Sequence, residues 1–168
     1  MSRARAVSRI ADLEHVVLGP LAGRPQGDWQ RAPTGKWTPA QIVEHLALSL
    51  ELSARGFEGA KGAERRRPAT PLERVSGWFV FRLGWTPPGI QAPRRTTPAR
   101  WVEAADAERH FREGLARWAT LASRPAEPNP GVFVHHPRLG ELDVEGWIRF
   151  HAWHCRHHAR QIRRRLAG

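Results

Sequence analysis

Five of the nine histidines of this chain fall between His136 and His158, and four of them, His151, His154, His157 and His158, share one short segment. Imidazole is both a metal ligand and a proton carrier near neutral pH, so this crowding is the first place to look for chemistry. If the segment is helical, successive residues turn by about 100°. With Trp147 at 0°, His154 falls at about 340°, His158 at about 20°, His151 at about 40°, Gln161 at about 320° and His157 at about 280°. Arg149, Arg156, Arg160 and Arg163 fall on the far side, between about 160° and 220°. A surface helix turns its apolar stripe inward, so these histidines stand where leucines are expected. His154 and His158 are one turn apart, with Cβ atoms about 5–6 Å from each other, and both rings can reach one ion at about 2.0–2.1 Å.

Two ligands are too few for a tight site. The segment after Thr38-Pro39 offers a third. With Ile42 at 0°, Leu46 falls at about 40°, Ser49 at about 340°, His45 at about 300° and Leu52 at about 280°, while Glu44, Glu51 and Arg55 lie near 180–220°. Taken alone, a histidine on such a face is more often a hydrogen-bonded core residue than a ligand. Three inward imidazoles are harder to satisfy with backbone partners, since each unpaired buried polar group costs about 1–3 kcal/mol. The joint pattern favours one divalent metal held by His45, His154 and His158. Imidazole suits several metals, with zinc the first expectation and nickel or iron the alternatives. Gln161 is placed to hydrogen-bond a ligand imidazole or a substrate, with an interhelix polar contact as an equal reading, and His151 to serve as general base or proton shuttle.

The elements that must position these groups are helical. Ile10, Leu13, Val17 and Leu21 keep helical spacing over about Arg5–Leu21, with Gly19-Pro20 near the end. Thr38-Pro39-Ala40-Gln41 has the pattern of a capping box with proline in the first turn, and Thr70-Pro71-Leu72-Glu73 repeats it ahead of Val75, Trp78, Phe79 and Leu83. Thr97-Pro98 introduces a third helix over about Ala99–Ala122, with Trp101, Ala105, Phe111, Leu115, Trp118 and Ala122 on one face. The loop from Pro125 to Leu142 is long enough to suspect function, and its His135 and His136 could close over the metal, although loop histidines are mostly solvated. Asp143 offers an N-cap for a last helix over Val144 to about Leu166. Residues 61–67 and 87–96 read as polar loops, and no strand-period alternation is sustained. The expectation is an all-α chain, a four-helix bundle with an extra short helix, in a single domain over residues 1–168.

Two stretches carry a likeness to known proteins. Gly35-Lys36-Trp37-Thr38-Pro39-Ala40-Gln41-Ile42-Val43-Glu44-His45-Leu46 is one; the other is His136-Pro137-Arg138-Leu139-Gly140-Glu141-Leu142, followed by Trp147 and His154-Cys155-Arg156-His157-His158-Ala159-Arg160-Gln161. On these residues the chain resembles the DinB-like superfamily, helical-bundle proteins that include bacillithiol and mycothiol S-transferases and mycothiol-dependent isomerases, and more narrowly the branch designated DUF1569. The resemblance implies a metal triad of one histidine on the second helix and an H-x-x-x-H pair on the last, which carries over to His45, His154 and His158. It favours thiol transfer over hydrolysis. Leu139 stands where the family often has phenylalanine, and residues 61–97 match no family motif.

Composition bounds the rest. With 168 residues, 40% hydrophobic and 26% charged, one core is expected, and eight tryptophans argue against disorder despite a net charge of +11. The only cysteine, Cys155, cannot form an internal disulfide, which fits a reducing, cytoplasmic compartment; mid-helix, it reads as a small buried filler. Asp12, Glu14 and His15 interrupt what would be the apolar part of a signal peptide, and no stretch is long and apolar enough to span a membrane. The chain has no tyrosine, P-loop, G-x-S-x-G or dinucleotide fingerprint.

Three functional classes remain. The first is a metal enzyme acting on a small-molecule thiol or other small substrate, by thiol transfer or by hydrolysis at the same site. The second is a metal-bearing binding or stress protein without turnover, and two copies could pair into a homodimer. The third, a basic nucleic-acid binder, is motivated by Arg65-Arg66-Arg67 and Arg163-Arg164-Arg165. Interspersed acids and the lack of a binding motif argue against specific nucleic-acid recognition.

Overall fold

A computed structural model describes residues 2–59, 67–83, 91–124 and 131–167 of the chain. The polar run 61–66 with Arg65 and Arg66, residues 87–90, and Pro125, Pro128 and Pro130 lie outside the described residues.

Four long helices make the body: α1 (Arg3–Leu18), α3 (Pro39–Gly59), α5 (Ala104–Ser123) and α6 (Val144–Leu166), with short α2 (Gln26–Trp29) and α4 (Pro71–Trp78) between them. The start signals read from sequence operate as expected at three of them. Thr38 N–H donates to Gln41 Oε1 (3.0 Å) and Gln41 N–H to Thr38 Oγ1 (3.2 Å) at the head of α3. Thr70 and Glu73 form the same reciprocal pair on α4, and Asp143 accepts from Gly146 N–H on α6. Each cap satisfies backbone donors that have no partner inside the helix.

In the bundle α3 packs on α5 and α6, and α1 packs on the same two from the opposite side. Ile10, Leu13 and Val17 of α1, Ile42, Leu46 and Leu50 of α3, Phe111 and Trp118 of α5, and Ile148 and Ile162 of α6 are almost wholly buried in one core. Trp118 is its largest fully buried side chain and donates its indole N–H to the Leu50 carbonyl (3.0 Å). The two helices approach closely at Gly114, where an added Cβ would stand 2.9 Å from Leu50 Cβ. Gly114→Ala should therefore destabilise the protein by about 1–3 kcal/mol through overpacking, read as a lower urea midpoint. A gain of about 1 kcal/mol, the usual benefit of alanine over glycine within a helix, would mean that the helices can part without cost.

Three expectations change. Thr97-Pro98 does not open a helix: α5 begins at Ala104, with Glu103 at the N-cap. The chain between is irregular, bending at Arg100 and Trp101, and is tied across the bundle: the Ala99 and Arg100 carbonyls accept from Gln41 Nε2 and the Val102 carbonyl from Gln30 Nε2. Trp101 and Ala105 are accordingly exposed, and Val102 and Ala107 are buried instead. Leu52 is also exposed, at the margin of the α3 stripe, and Ser53 lies inward. Finally, the long loop contains a small antiparallel hairpin, β1 (Val134–His136) and β2 (Gly140–Leu142), turning at Gly140 with φ of 74°. Val134 of β1 lies against Gly56 of α3, where a Cβ would meet Val134 Cγ1 at 2.7 Å.

Candidate metal centre

His45 on α3 and His154 and His158 on α6 face one another inside the bundle, all three buried. His45 Nε2 lies 3.1 Å from His154 Nε2, and His158 Nε2 lies 3.0 Å from the same atom. One ligand atom from each ring falls within 4.8 Å of the other two, and this is the one such metal-capable group among the described residues. Four ligands in a tetrahedron at zinc–nitrogen distances stand about 3.3 Å apart, so these nitrogens are spaced for one small cation.

The outer ring atoms fix which nitrogens point inward. His45 Nδ1–H donates to the Thr96 carbonyl (2.6 Å), which the 3₁₀ turn Arg94–Thr96 presents. His158 Nδ1–H donates to Gln161 Oε1 (2.9 Å). A neutral imidazole has one N–H, so in both residues Nε2 carries a lone pair aimed at His154. His154 can offer at most one proton between them, and its Nδ1 has no hydrogen-bond partner. Protein groups alone leave this cluster poor in hydrogens; a dication accepts all three lone pairs at once. Hydrogen bonds from the outer nitrogens are what orient metal-ligating histidines in general.

Electrostatics keep the donors ready. Burial pushes the pKa of His45 below the usual histidine value, that of His158 down to about 3, and that of His154 well down, with neighbouring imidazoles lowering the last two further. Neutral imidazole is the form that binds metal. Aromatic rings exclude water around the cluster. Trp37 packs on His45 (4.9 Å between centroids), and Phe150 and Trp153 stack on His154 (5.0 and 6.1 Å). Sequence reading had no signal for the Thr96 carbonyl, which is backbone.

The remaining candidates are placed as follows. Gln161 bonds a ligand imidazole, as its helical position anticipates, and its Nε2 lies 3.1 Å from His157 Nε2. His151, 1% exposed, turns its Nε2 to Ser53 Oγ (2.9 Å) and packs its ring on Trp118 and Trp147. That geometry ties α6 to α3, and burial drives its pKa down to about 3. His136 is on the hairpin, its Nδ1 accepting from the backbone N–H groups of Arg138 and Leu139 and its ring against Phe150, one ring removed from His154. His135 pairs with Glu141 in the open. Cys155 is buried, its thiol pushed up to about 12. Arg149, Arg156, Arg160 and Arg163 are exposed on the outer face of α6.

Two surface clefts lie elsewhere. One of about 380 Å³, at the head of α6, is lined by residues including Phe81, Asp143 and Arg149; the other, about 550 Å³, includes His15, Trp29 and Arg112. Neither is lined by a triad histidine.

Residues 24–165 match the family described as "Protein of unknown function (DUF1569)". The chain belongs to the DUF1569 family. The match spans both α3 and α6, so the whole triad of this DUF1569 protein lies within it. No curated protein and no solved structure matches the chain.

Proposed function

We propose that this DUF1569 protein is a divalent-metal enzyme of the DinB-like kind, acting on a low-molecular-weight thiol, with zinc as the resident ion. The observation that carries the reading is the convergence of three neutral Nε2 donors with no carboxylate or thiolate among them. A dication held there supplies a positive charge that no ligand offsets, and so lowers the pKa of a thiol or water placed beside it.

The chain's own residues do the rest. Thr96 and Gln161 hold two imidazoles in the ligating tautomer, and Trp37, Phe150 and Trp153 keep bulk water from the cluster. Low dielectric strengthens the attraction between a cation and an anionic sulfur. Cys155 cannot supply that sulfur, because it is buried with its pKa raised, so the thiol arrives as substrate. A lone reduced cysteine also supports a reducing, cytoplasmic setting. Among the described residues no helix is long and apolar enough to cross a membrane. We read the arginine face of α6 as a solvated surface without specific nucleic-acid recognition, since nothing in it resembles a base-reading motif.

The test loads the protein with cobalt and titrates bacillithiol, mycothiol and glutathione. The expected result is sulfur-to-cobalt charge-transfer absorption with one of them, absent in His154→Ala. No band with any thiol, together with ester or amide turnover lost in His154→Ala, would overturn thiol transfer in favour of hydrolysis.

A further inference from the structure

We propose that His157 is a positioning residue, locking the tautomer of His158 through the Gln161 amide. Gln161 stands between two imidazoles, its Oε1 2.9 Å from His158 Nδ1 and its Nε2 3.1 Å from His157 Nε2. One glutamine reaches both because positions three and four residues back lie side by side on the preceding turn of α6.

The two ends of a primary amide differ in kind: the oxygen only accepts and the nitrogen only donates. With the oxygen toward His158, its Nδ1 carries the hydrogen and its Nε2 keeps the lone pair that faces His154. With the amide turned over, the NH₂ group faces His158, Nδ1 becomes the acceptor, and the hydrogen moves to Nε2, where it blocks coordination. The two orientations are nearly identical in shape, so the group at the other end makes the choice. In its Nδ1–H form His157 accepts at Nε2 from the NH₂ group and thereby holds that end. Its ring is itself fixed, half-buried, against Trp153 (5.5 Å) and edge-on to His158 (5.0 Å). The inference rests on the metal centre and is independent of what substrate that centre serves.

Zinc alone, in competition with a chelator and on the full untagged chain, is the probe. His157→Leu should weaken zinc binding by about 10-fold, the lower end of what outer partners of metal ligands contribute. Gln161→Glu presents oxygen at both ends and cannot turn a donor toward His158. In that background His157→Leu should change the affinity by less than about two-fold, a non-additivity expected only of coupled residues. Equal losses in both backgrounds would make His157 a packing residue and overturn the lock, as would no loss in the Gln161 background. A metal-free readout stands beside it. Long-range proton–nitrogen spectra should show His158 with hydrogen on Nδ1 in the unsubstituted chain, and a mixture with the Nε2–H form in His157→Leu. An unchanged tautomer in that variant contradicts the proposal. Failure of the unsubstituted chain to bind zinc would instead fall on the metal centre, leaving the spectra to decide the lock.

Discussion

Replacing His154 with leucine should abolish stoichiometric metal binding while leaving the metal-free protein as stable as the unsubstituted one, or more so. His154 Nε2 is the atom within 3.1 Å of both other ligand nitrogens, so its loss leaves one donor on α3 and one on α6. Outer partners of metal ligands are already worth about 10–100-fold in affinity, so loss of a ligand should exceed about 100-fold. Stability should move the other way. The His154 ring packs against both Phe150 and Trp153, its Nδ1 is unpartnered, and its Nε2 meets two nitrogens that both carry lone pairs. The substitution forfeits at most the one hydrogen bond that His154 can donate and in exchange removes the unpartnered Nδ1 and the crowding of three lone-pair-bearing nitrogens, so the opposing terms offset. Metal analysis and urea unfolding of the chelator-treated variant check the two halves. Retained metal would remove His154 from the ligand set. A metal-free variant destabilised by several kcal/mol would make the cluster a structural hydrogen-bond network.

The metal-free protein should lose stability steeply as the pH falls below about 6.5, and zinc should add stability at neutral pH. His151, His154 and His158 are buried, with pKa values driven far below that of an unfolded histidine, to about 3 for His151 and His158. Above about pH 6.5 these groups are neutral in both states and contribute no slope. Below it the unfolded chain takes up protons that the folded chain refuses, so folding weakens until the folded-state values are reached. Each imidazole can contribute about 1.4 kcal/mol per pH unit, so the three together approach about 4 kcal/mol per unit, a large share of a typical domain's stability. Zinc at about 1,000 times its dissociation constant would add about 4 kcal/mol at pH 7.5, shrinking in acid as protons compete for the nitrogens. Urea midpoints at pH 7.5 and 5.5, with and without zinc, measure this. A flat profile without metal would mean that the imidazoles are solvated.

Much of this centre was legible because helices convert spacing into direction. Thr38 and Gln41 announce α3, Asp143 announces α6, and 100° per residue then turns His45, His154 and His158 inward and Arg149, Arg156, Arg160 and Arg163 outward, as observed. What escaped was set by contacts between distant segments. Thr97-Pro98 has the chemistry of a helix start, yet Gln41 and Gln30 take the carbonyls that follow it. Each strand of the hairpin spans three residues, too few to establish a period of two. The apolar side chains Leu72, Val75 and Trp78 of α4 are exposed, which helical periodicity alone does not reveal. The Thr96 carbonyl that orients His45 belongs to the backbone, so no residue type marks it.

The central claim is that three imidazoles of this chain hold one divalent ion. Elemental analysis of the protein, expressed without a histidine tag and freed of loosely bound ions, tests it most directly. The account predicts one transition-metal ion per chain, zinc first, either as purified or after stoichiometric titration of the metal-free form. A correctly folded chain that carries no metal, and takes up none at micromolar concentrations and pH 7.5, would contradict it.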